Sequence, residues 1–184
     1  MQIYLAGPDV FLPDALEMGR RKAGLCAQYG HAGLFPLDSA IDVSAPDASL
    51  KIFRANQAMM DSADAIIANL TPFRGPSADA GTVYELGYMA GRGKFCLGYC
   101  NDPTPYTDRV RKLNLTSPDA SMSDRHGLAI EDFGHTDNLM MMHALEDHGY
   151  PLIVPDKIAA DIWHDLTSFE ACLKVLTAMK DRIR

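Results

Sequence analysis

The sequence contains no apolar run of the roughly 20 residues that a membrane-spanning helix requires. Its first residues, MQIYLAGPDVF, lack the basic start and the long apolar segment of a secretory signal. Together, these two absences predict a soluble cytoplasmic protein with no membrane partner.

Patterns typical of metal sites and disulfide frameworks are also missing. The four cysteines, Cys26, Cys96, Cys100 and Cys172, include no C-x-x-C pair, and the six histidines include no H-E-x-x-H motif. Scattered cysteines within apolar segments are typical of buried free thiols. We therefore expect no metal centre and no disulfide.

Basic residues are few. Lys and Arg number 17 against 24 Asp and Glu, which gives a net charge of -7 and a pI near 5.2. Such a surface repels phosphodiester backbones, so a nucleic acid polymer is not an expected partner. The 184 residues, 47% of them hydrophobic, are ordinary for a globular protein and predict one domain over residues 1–184.

Short apolar runs alternate along the chain with longer segments of helical periodicity. The runs are continuously apolar, which is typical of parallel strands buried on both faces by helices. We predict an α/β, flavodoxin-like, doubly wound three-layer fold with a five-stranded parallel sheet. The predicted strands are 3–7, 32–37, 64–70, 94–99 and 151–154, and the predicted helices are 13–29, 48–62, 80–91, 138–148 and a last helix ending near 181.

Residues 101–127, NDPTPYTDRVRKLNLTSPDASMSDRHG, interrupt this alternation with prolines, serines and charges. The composition predicts a long loop insertion. Loops of this length are often lids or binding loops, although a solvated insertion without a role fits the composition as well.

Ligands of open α/β sheets bind beyond the carboxyl ends of the strands. This rule selects the segments GPDVF (7–11), PLD (36–38), NLTPFRGPSADAGTVYE (69–85) and CND (100–102). Candidate substrate contacts in these segments are Gly7, Pro8, Asp9, Phe11, Phe73, Arg74 and Gly81.

The stretch DAGTVYELGY (79–88) places two carboxylates, Asp79 and Glu85, just after a buried apolar run. Thr82 and Glu85 have the T-x-x-E spacing of a capping box. The same geometry suits a nucleophile, because a helix N-terminus stabilises an ionised carboxylate. Asp79 is expected before the helix, as a cap or turn residue. Together, the two acids match glycosyl transfer, in which one attacks the sugar carbon while neighbours position hydroxyls or the leaving group.

Two further polar side chains occupy apolar positions. Asn56 lies at helical spacing from Ile52 and Met60, so its amide either bonds to backbone or faces a pocket and contacts a ligand. Tyr4, inside the first strand, is either a core aromatic or holds a carboxylate through its hydroxyl.

Three segments, IYLAGP, ADAIIANLTPFRGPSADAGTVYELGYMAGRGK and EDFGHTDNLMM, resemble the nucleoside 2-deoxyribosyltransferase family. The resemblance implies a double displacement in which a glutamate attacks C1′ of a 2′-deoxynucleoside and a second base then takes up the deoxyribosyl group. It implies 2′-deoxynucleosides and free purine or pyrimidine bases as substrates, and no cofactor.

The resemblance also implies roles for individual residues. Glu85 matches the nucleophile, Asp79 the acid that binds sugar hydroxyls, and Tyr4 the tyrosine that orients the nucleophile. Asn138 matches an asparagine that reaches the sugar from a neighbouring subunit, which implies a homo-oligomer. Where some members carry an aspartate facing the base, this sequence has Asn56, whose amide is not a general acid.

A related activity remains as an alternative. The 2′-deoxynucleoside 5′-monophosphate N-hydrolases use the same glutamate but give the intermediate to water. The position of Asp79 resembles a phosphate-contacting serine in that branch, and an aspartate would repel the phosphate, an effect that Arg74 partly offsets. A non-enzymatic nucleotide-binding module is a further alternative, in which Glu85→Gln leaves ligand binding and stability nearly unchanged.

Overall fold

The computed structural model describes residues 1–38, 41–113 and 122–183. Within these ranges, four parallel strands form one sheet in the order β2-β1-β3-β4. None of the helices in the same ranges combines the length and apolar character needed to cross a membrane. The strands are β1 Gln2–Ala6, β2 Ala32–Leu34, β3 Ala65–Asn69 and β4 Phe95–Tyr99, and the helices are α1 Ala15–Gln28, α2 Ala48–Ser62, α3 Ala80–Gly91, α4 Tyr106–Lys112, α5 Leu139–His148 and α6 Thr167–Ile183.

Side chains of successive strand residues point to opposite faces of the sheet, so each strand supplies two cores. Ile3 and Leu5 of β1 pack in a core with α1 and α6. Tyr4 and Ala6 pack in the opposite core with α2, α3 and α5. The prediction of a parallel sheet covered by helices on both faces is therefore confirmed.

The prediction of a fifth strand over 151–154 was wrong. Ile153 lies beside β4, where a fifth strand would pair, but it makes only an isolated bridge to Tyr99. Its N–H donates to the carbonyl of Gly98 at 3.0 Å. Pro151 and Pro155 stand on either side. Proline has no N–H to donate to a sheet, so the ladder does not extend along this segment.

Two other predicted segments differ from the structure. The second strand ends at Leu34 because Pro36 begins a 3-10 turn, Pro36–Asp38. The predicted loop 101–127 contains helix α4, whose first turn carries Asp108 and whose last turn is basic, as the helix dipole favours. Residues 114–121 of that prediction lie outside the described residues.

The strand order creates a crevice at the carboxyl edge of the sheet. The chain passes from β1 to β2 on one side, and then places β3 and β4 on the other side of β1. In doubly wound sheets the loops after the two strands at such a reversal diverge and leave room for a ligand. Gly7 follows β1 at this point, and the loop leading to Asp79 follows β3.

A buried ion pair supports the loop after β1. Lys22 Nζ of α1 lies 2.8 Å from Asp9 Oδ2, with both side chains 1% exposed. Asn69, at the end of β3, donates its amide N–H to both Asp9 oxygens at 3.2 and 3.3 Å. Gly7 lies against this group, since a Cβ there would fall 2.3 Å from Asp9 Oδ2. The ion pair thus holds the turn Pro8–Phe11 against α1 and β3.

The cysteines are free and buried, as the sequence predicts. Burial raises the pKa of Cys26 to about 11 and that of Cys96 to about 12. Both thiols therefore stay protonated at neutral pH and act as small apolar groups of the core.

Replacement of Lys22 by methionine is expected to lower the free energy of unfolding by about 3–5 kcal/mol, because the Asp9 charge is left buried and unpaired. The matched control is Lys51→Met, which removes an exposed ion pair with Asp47 and is expected to change that free energy by less than about 1 kcal/mol. Urea denaturation of both variants measures the difference. Equal small losses would contradict a supporting role for the buried pair.

Candidate active site

A cavity of about 300 Å³ opens at the carboxyl edge of the sheet, between the loop after β1, the helix α2 and the start of α3. Its walls bring together residues from distant parts of the sequence. Six of the predicted site residues line it: Gly7, Phe11, Asn56, Asp79, Gly81 and Glu85.

Asp79 is the N-cap of α3. Its Oδ2 accepts hydrogen bonds from the backbone N–H of Thr82 at 2.9 Å and from the Thr82 hydroxyl at 3.0 Å. This confirms the expectation that Asp79 is a cap or turn residue before the helix. The alternative of a capping box formed by Thr82 and Glu85 does not hold, because the helix begins at Ala80 and Thr82 is already in its first turn. A Cβ at position 81 would lie 3.1 Å from the same oxygen, so Gly81 leaves room for the cap.

Glu85 lies in the second turn of α3 and lines the cavity. The Tyr4 hydroxyl donates a hydrogen bond to Glu85 Oε1 at 2.6 Å. Tyr4 is 0% exposed and comes from the middle of β1, on the face of the sheet that packs against α3. A rigid strand therefore fixes the position of one carboxylate oxygen of Glu85.

Burial raises the pKa of Glu85 to about 7, the hydrogen bond from Tyr4 lowers it, and the negative charge of Asp79 raises it. Burial also raises the pKa of Tyr4 well above its ordinary range, and Glu85 adds to this rise. Tyr4 is accordingly a neutral donor at every physiological pH. Perturbed carboxylates in a cleft are typical of functional sites.

Asn56 reaches the cavity from α2. Its Oδ1 is buried and has no hydrogen-bond partner among the described residues. The alternative that this amide bonds to backbone therefore does not account for its oxygen. A buried acceptor without a donor favours a ligand that supplies one.

An aromatic cluster extends from the cavity wall. Phe11 stacks on Phe73 with ring centroids 5.2 Å apart, and the Arg74 guanidinium lies over both rings, 5.2 and 4.5 Å from their centroids. Trp163 meets Phe73 edge-on at 6.2 Å. Arg74 has a φ of 56°, a strained conformation for a residue with a side chain.

Five predicted substrate contacts do not line the cavity, namely Pro8, Asp9, Phe73, Arg74 and Asn138. Phe73 and Arg74 belong to the aromatic cluster next to it. Pro8 is buried in the 3-10 turn, and the carboxylate of Asp9 is held by Lys22 and Asn69 as described above. We therefore interpret Asp9 as a structural residue. Asn138 is the N-cap of α5, where its Oδ1 accepts from the Met140 N–H at 3.0 Å.

Sequence reasoning missed several apolar wall residues, namely Val10, Leu37 and Ile52. Leu37 and Ile52 are also partly exposed, at 39% and 37%. Leu37 falls in a selected loop, and the helical spacing of Ile52 from Asn56 was the available signal. Among the described residues, no group of three His, Cys, Asp or Glu side chains is placed to hold a metal ion.

Comparisons with known proteins show which family the chain resembles. The model of the family "Nucleoside 2-deoxyribosyltransferase" matches residues 3–140. An uncharacterized protein of Schizosaccharomyces pombe is 35% identical over 155 residues, which cover 75% of this chain and 74% of that protein.

Solved structures show the same fold. A 2-deoxyribosyltransferase from Leishmania mexicana is 29% identical to this chain and superimposes on it with a TM-score of 0.64. The match covers 94% of this chain and 97% of the Leishmania mexicana chain. A conserved protein from Enterococcus faecalis V583 is 20% identical with a TM-score of 0.59, covering 97% and 98%, and is similar in fold. On the family match over residues 3–140, this chain belongs to the nucleoside 2-deoxyribosyltransferase family.

Proposed function

We propose that this protein transfers 2-deoxyribose between nucleobases through a covalent intermediate on Glu85. The observation that carries the proposal is the hydrogen bond of 2.6 Å from Tyr4 to Glu85 Oε1 at the wall of the cavity. Membership of the family supports it, as does the similarity to the Leishmania mexicana protein, which is named a 2-deoxyribosyltransferase.

In the first step the Glu85 carboxylate attacks C1′ of a 2′-deoxynucleoside. The C1′–N bond breaks, and its electron pair leaves with the base. Because Tyr4 holds Oε1, Oε2 is the oxygen left for the sugar carbon. In the second step a new base attacks C1′ and gives up its N–H proton to water, the C1′–O bond breaks, and the carboxylate is restored. The base that departs in the first step takes up one proton from water, so that protons balance over the exchange. Two inversions at C1′ give overall retention.

The two carboxylate oxygens of Asp79 are proposed to have different roles, one in capping α3 and the other in binding the substrate. Oδ2 caps α3 through Thr82. Oδ1 is then available to accept a hydrogen bond from a sugar hydroxyl at the cavity wall. The negative charge that favours this contact disfavours a 5′-phosphate at the same place, so nucleosides are the proposed substrates and nucleotides the alternative.

The nucleobase is proposed to lie between Asn56 and the aromatic cluster. Phe11 is 55% exposed and offers a flat apolar surface to a base. Asn56 supplies a buried acceptor that lacks a donor. An amide does not release a proton at neutral pH, so Asn56 orients the base and does not protonate it.

We also propose that the working enzyme is a homo-oligomer in which Asn138 reaches a neighbouring subunit's site. Asn138 is exposed, and it does not line the cavity of its own chain. The next residue but one, Met140, is 71% exposed beside an apolar groove between α3 and α5. Both observations support contact of this end of α5 with a second subunit.

The direct test incubates the protein with 2′-deoxyinosine and adenine and follows 2′-deoxyadenosine, hypoxanthine and free deoxyribose by chromatography. We expect new deoxyadenosine, and a loss of about a thousandfold or more in its rate for Glu85→Ala and Glu85→Gln, because the nucleophile is absent. Free base and sugar without base exchange would assign the protein to the hydrolases instead.

Stability serves as the control for these variants. At pH 8 the folded wild type holds an ionised Glu85 whose pKa of about 7 exceeds the ordinary 4.5. The ionisation of this buried group should make the free energy of unfolding at pH 8 lower than at pH 4 by on the order of 3 kcal/mol. Glu85→Gln removes the charge, so its stability should exceed that of wild type at pH 8 and match it near pH 4. An inactive and destabilised Glu85→Gln protein would leave the loss of activity to misfolding and contradict the assignment.

Tyr4→Phe is expected to shift the acid limb of the pH profile. The Tyr4 hydrogen bond lowers the pKa of Glu85, so its removal raises that pKa. The carboxylate must be ionised to attack. As the pH is lowered, log kcat/KM should therefore begin to fall at a higher pH in the variant than in wild type. Tyr88→Phe is the matched control, because it removes a hydroxyl that donates to Asp61 at 2.6 Å from a residue that does not line the cavity. It should leave the profile unchanged. A Tyr4→Phe profile identical to wild type would show that the hydrogen bond does not tune the nucleophile.

A further inference from the structure

Asp137 is a buried carboxylate that the proposed reaction leaves without a role. It is 2% exposed and precedes α5. The Ser77 hydroxyl and the N–H of Asn138 donate to its Oδ1, the latter at 2.8 Å. The N–H of Ala78 donates to its Oδ2 at 2.8 Å. Both carboxylate oxygens are thus occupied by two separate segments of the chain.

These hydrogen bonds connect the loop before α3 to the start of α5, and both segments carry residues whose positions matter in the proposed site. Ser77 and Ala78 directly precede Asp79, which caps α3 and lines the cavity. The other donor belongs to Asn138, the N-cap of α5. Hydrogen bonds to a charged acceptor are stronger than neutral ones, and a buried carboxylate that loses its donors is costly. Asp137 therefore resists movement of the loop relative to α5.

The loop between Phe73 and the cap is also restrained by the contacts of Phe73 and Arg74 with the Phe11 ring. Within the described residues, its own backbone contributes the hydrogen bond from the Phe73 N–H to the Ser77 carbonyl at 3.0 Å. Its conformation also includes the strained Arg74. A strained backbone persists only when its surroundings hold it in place. Asp137 supplies such a restraint one residue before the sugar-binding carboxylate.

We propose that Asp137 is a positioning residue, which sets the place of Asp79 relative to Glu85 in its own site and of Asn138 toward the neighbouring subunit. One buried carboxylate then couples the geometry of two active sites. This inference rests on the proposed function, and it adds to that function a residue that touches no substrate.

The position of Asp79 has a measurable consequence at Glu85. The negative charge of Asp79 raises the pKa of Glu85. If the loop is released, the two carboxylates move apart because they repel each other, and the pKa of Glu85 falls. A defect in folding alone does not produce this shift in the folded protein. Among the described residues, the groups that shift the pKa of Glu85 are Tyr4 and Asp79, together with burial. An effect of Asp137 on this pKa is therefore expected to pass through Asp79.

The experiment compares Asp137→Asn and Ser77→Ala with wild type by steady-state kinetics and by NMR titration of ¹³C-labelled glutamate, with the Glu85 signal assigned from Glu85→Gln. We expect kcat/KM for the deoxynucleoside to fall by about 100-fold in Asp137→Asn, since misplacement by about 1 Å has this effect. KM should rise and kcat fall. Ser77→Ala, which changes no charge, should move kcat/KM and the Glu85 pKa in the same direction by less.

Two control variants separate positioning from stability and charge. Leu145→Val weakens the core beneath α5 without changing the loop, and Asp147→Asn removes an exposed charge on α5. Neither should shift the Glu85 pKa. If Asp137→Asn and Ser77→Ala lose only as much activity as Leu145→Val and keep the wild-type Glu85 pKa, the proposal is overturned.

The design also keeps failures of the two proposals apart. Absence of turnover in the wild type would contradict the proposed function. The NMR titration would still report whether Asp137 positions Asp79. If Asp137→Asn does not fold, Ser77→Ala alone decides the question through the same two measurements. An unshifted Glu85 pKa in a folded Ser77→Ala protein would count against positioning.

Discussion

The hydrogen bond between Tyr4 and Glu85 connects the centre of the sheet to the proposed nucleophile at its carboxyl edge. Tyr4 is fixed because β1 pairs with strands on both sides and its ring is fully buried. Glu85 is fixed because it lies on α3, whose first turn is capped by Asp79. The bond is therefore made between two rigid elements, as the proposed role of Glu85 as a nucleophile requires.

The environment of Glu85 balances opposing effects. Burial and the Asp79 charge favour its protonated form, whereas Tyr4 favours the carboxylate, with the outcome that its pKa is about 7. A carboxylate that is hardly solvated is a better nucleophile than one in water, but it destabilises the folded protein when it is ionised. The buried ion pair of Lys22 and Asp9 and the contacts of Asp137 lie around this region. They stabilise the loops that bring Gly7 and Asp79 to the cavity wall.

Much of this arrangement was predictable from local sequence. Helix 48–62 matches α2 and helix 80–91 matches α3. The edge rule selected the segment that contains Asp79 and Glu85, and the helical spacing of Asn56 allowed it to face the same cavity. The errors have both local and remote causes. The apolar run around Ile153 is typical of a strand, but the prolines that flank it limit its pairing with β4 to one bridge, between Ile153 and Tyr99. The T-x-x-E spacing ending at Glu85 fits a cap, but the preceding aspartate takes that position. The partners of Asp9 and Asp137 are remote in sequence, and spacing does not show them.

The central claim is the covalent deoxyribosyl-enzyme intermediate on Glu85. Its most direct test is intact-protein and peptide mass spectrometry of wild type and Glu85→Gln, quenched with acid during turnover of 2′-deoxyinosine without an acceptor base. The account predicts a mass increase of one deoxyribosyl group in wild type, located on the peptide that contains Glu85 and absent from Glu85→Gln. Turnover with no adduct, an adduct on another residue, or full activity of Glu85→Gln would contradict it.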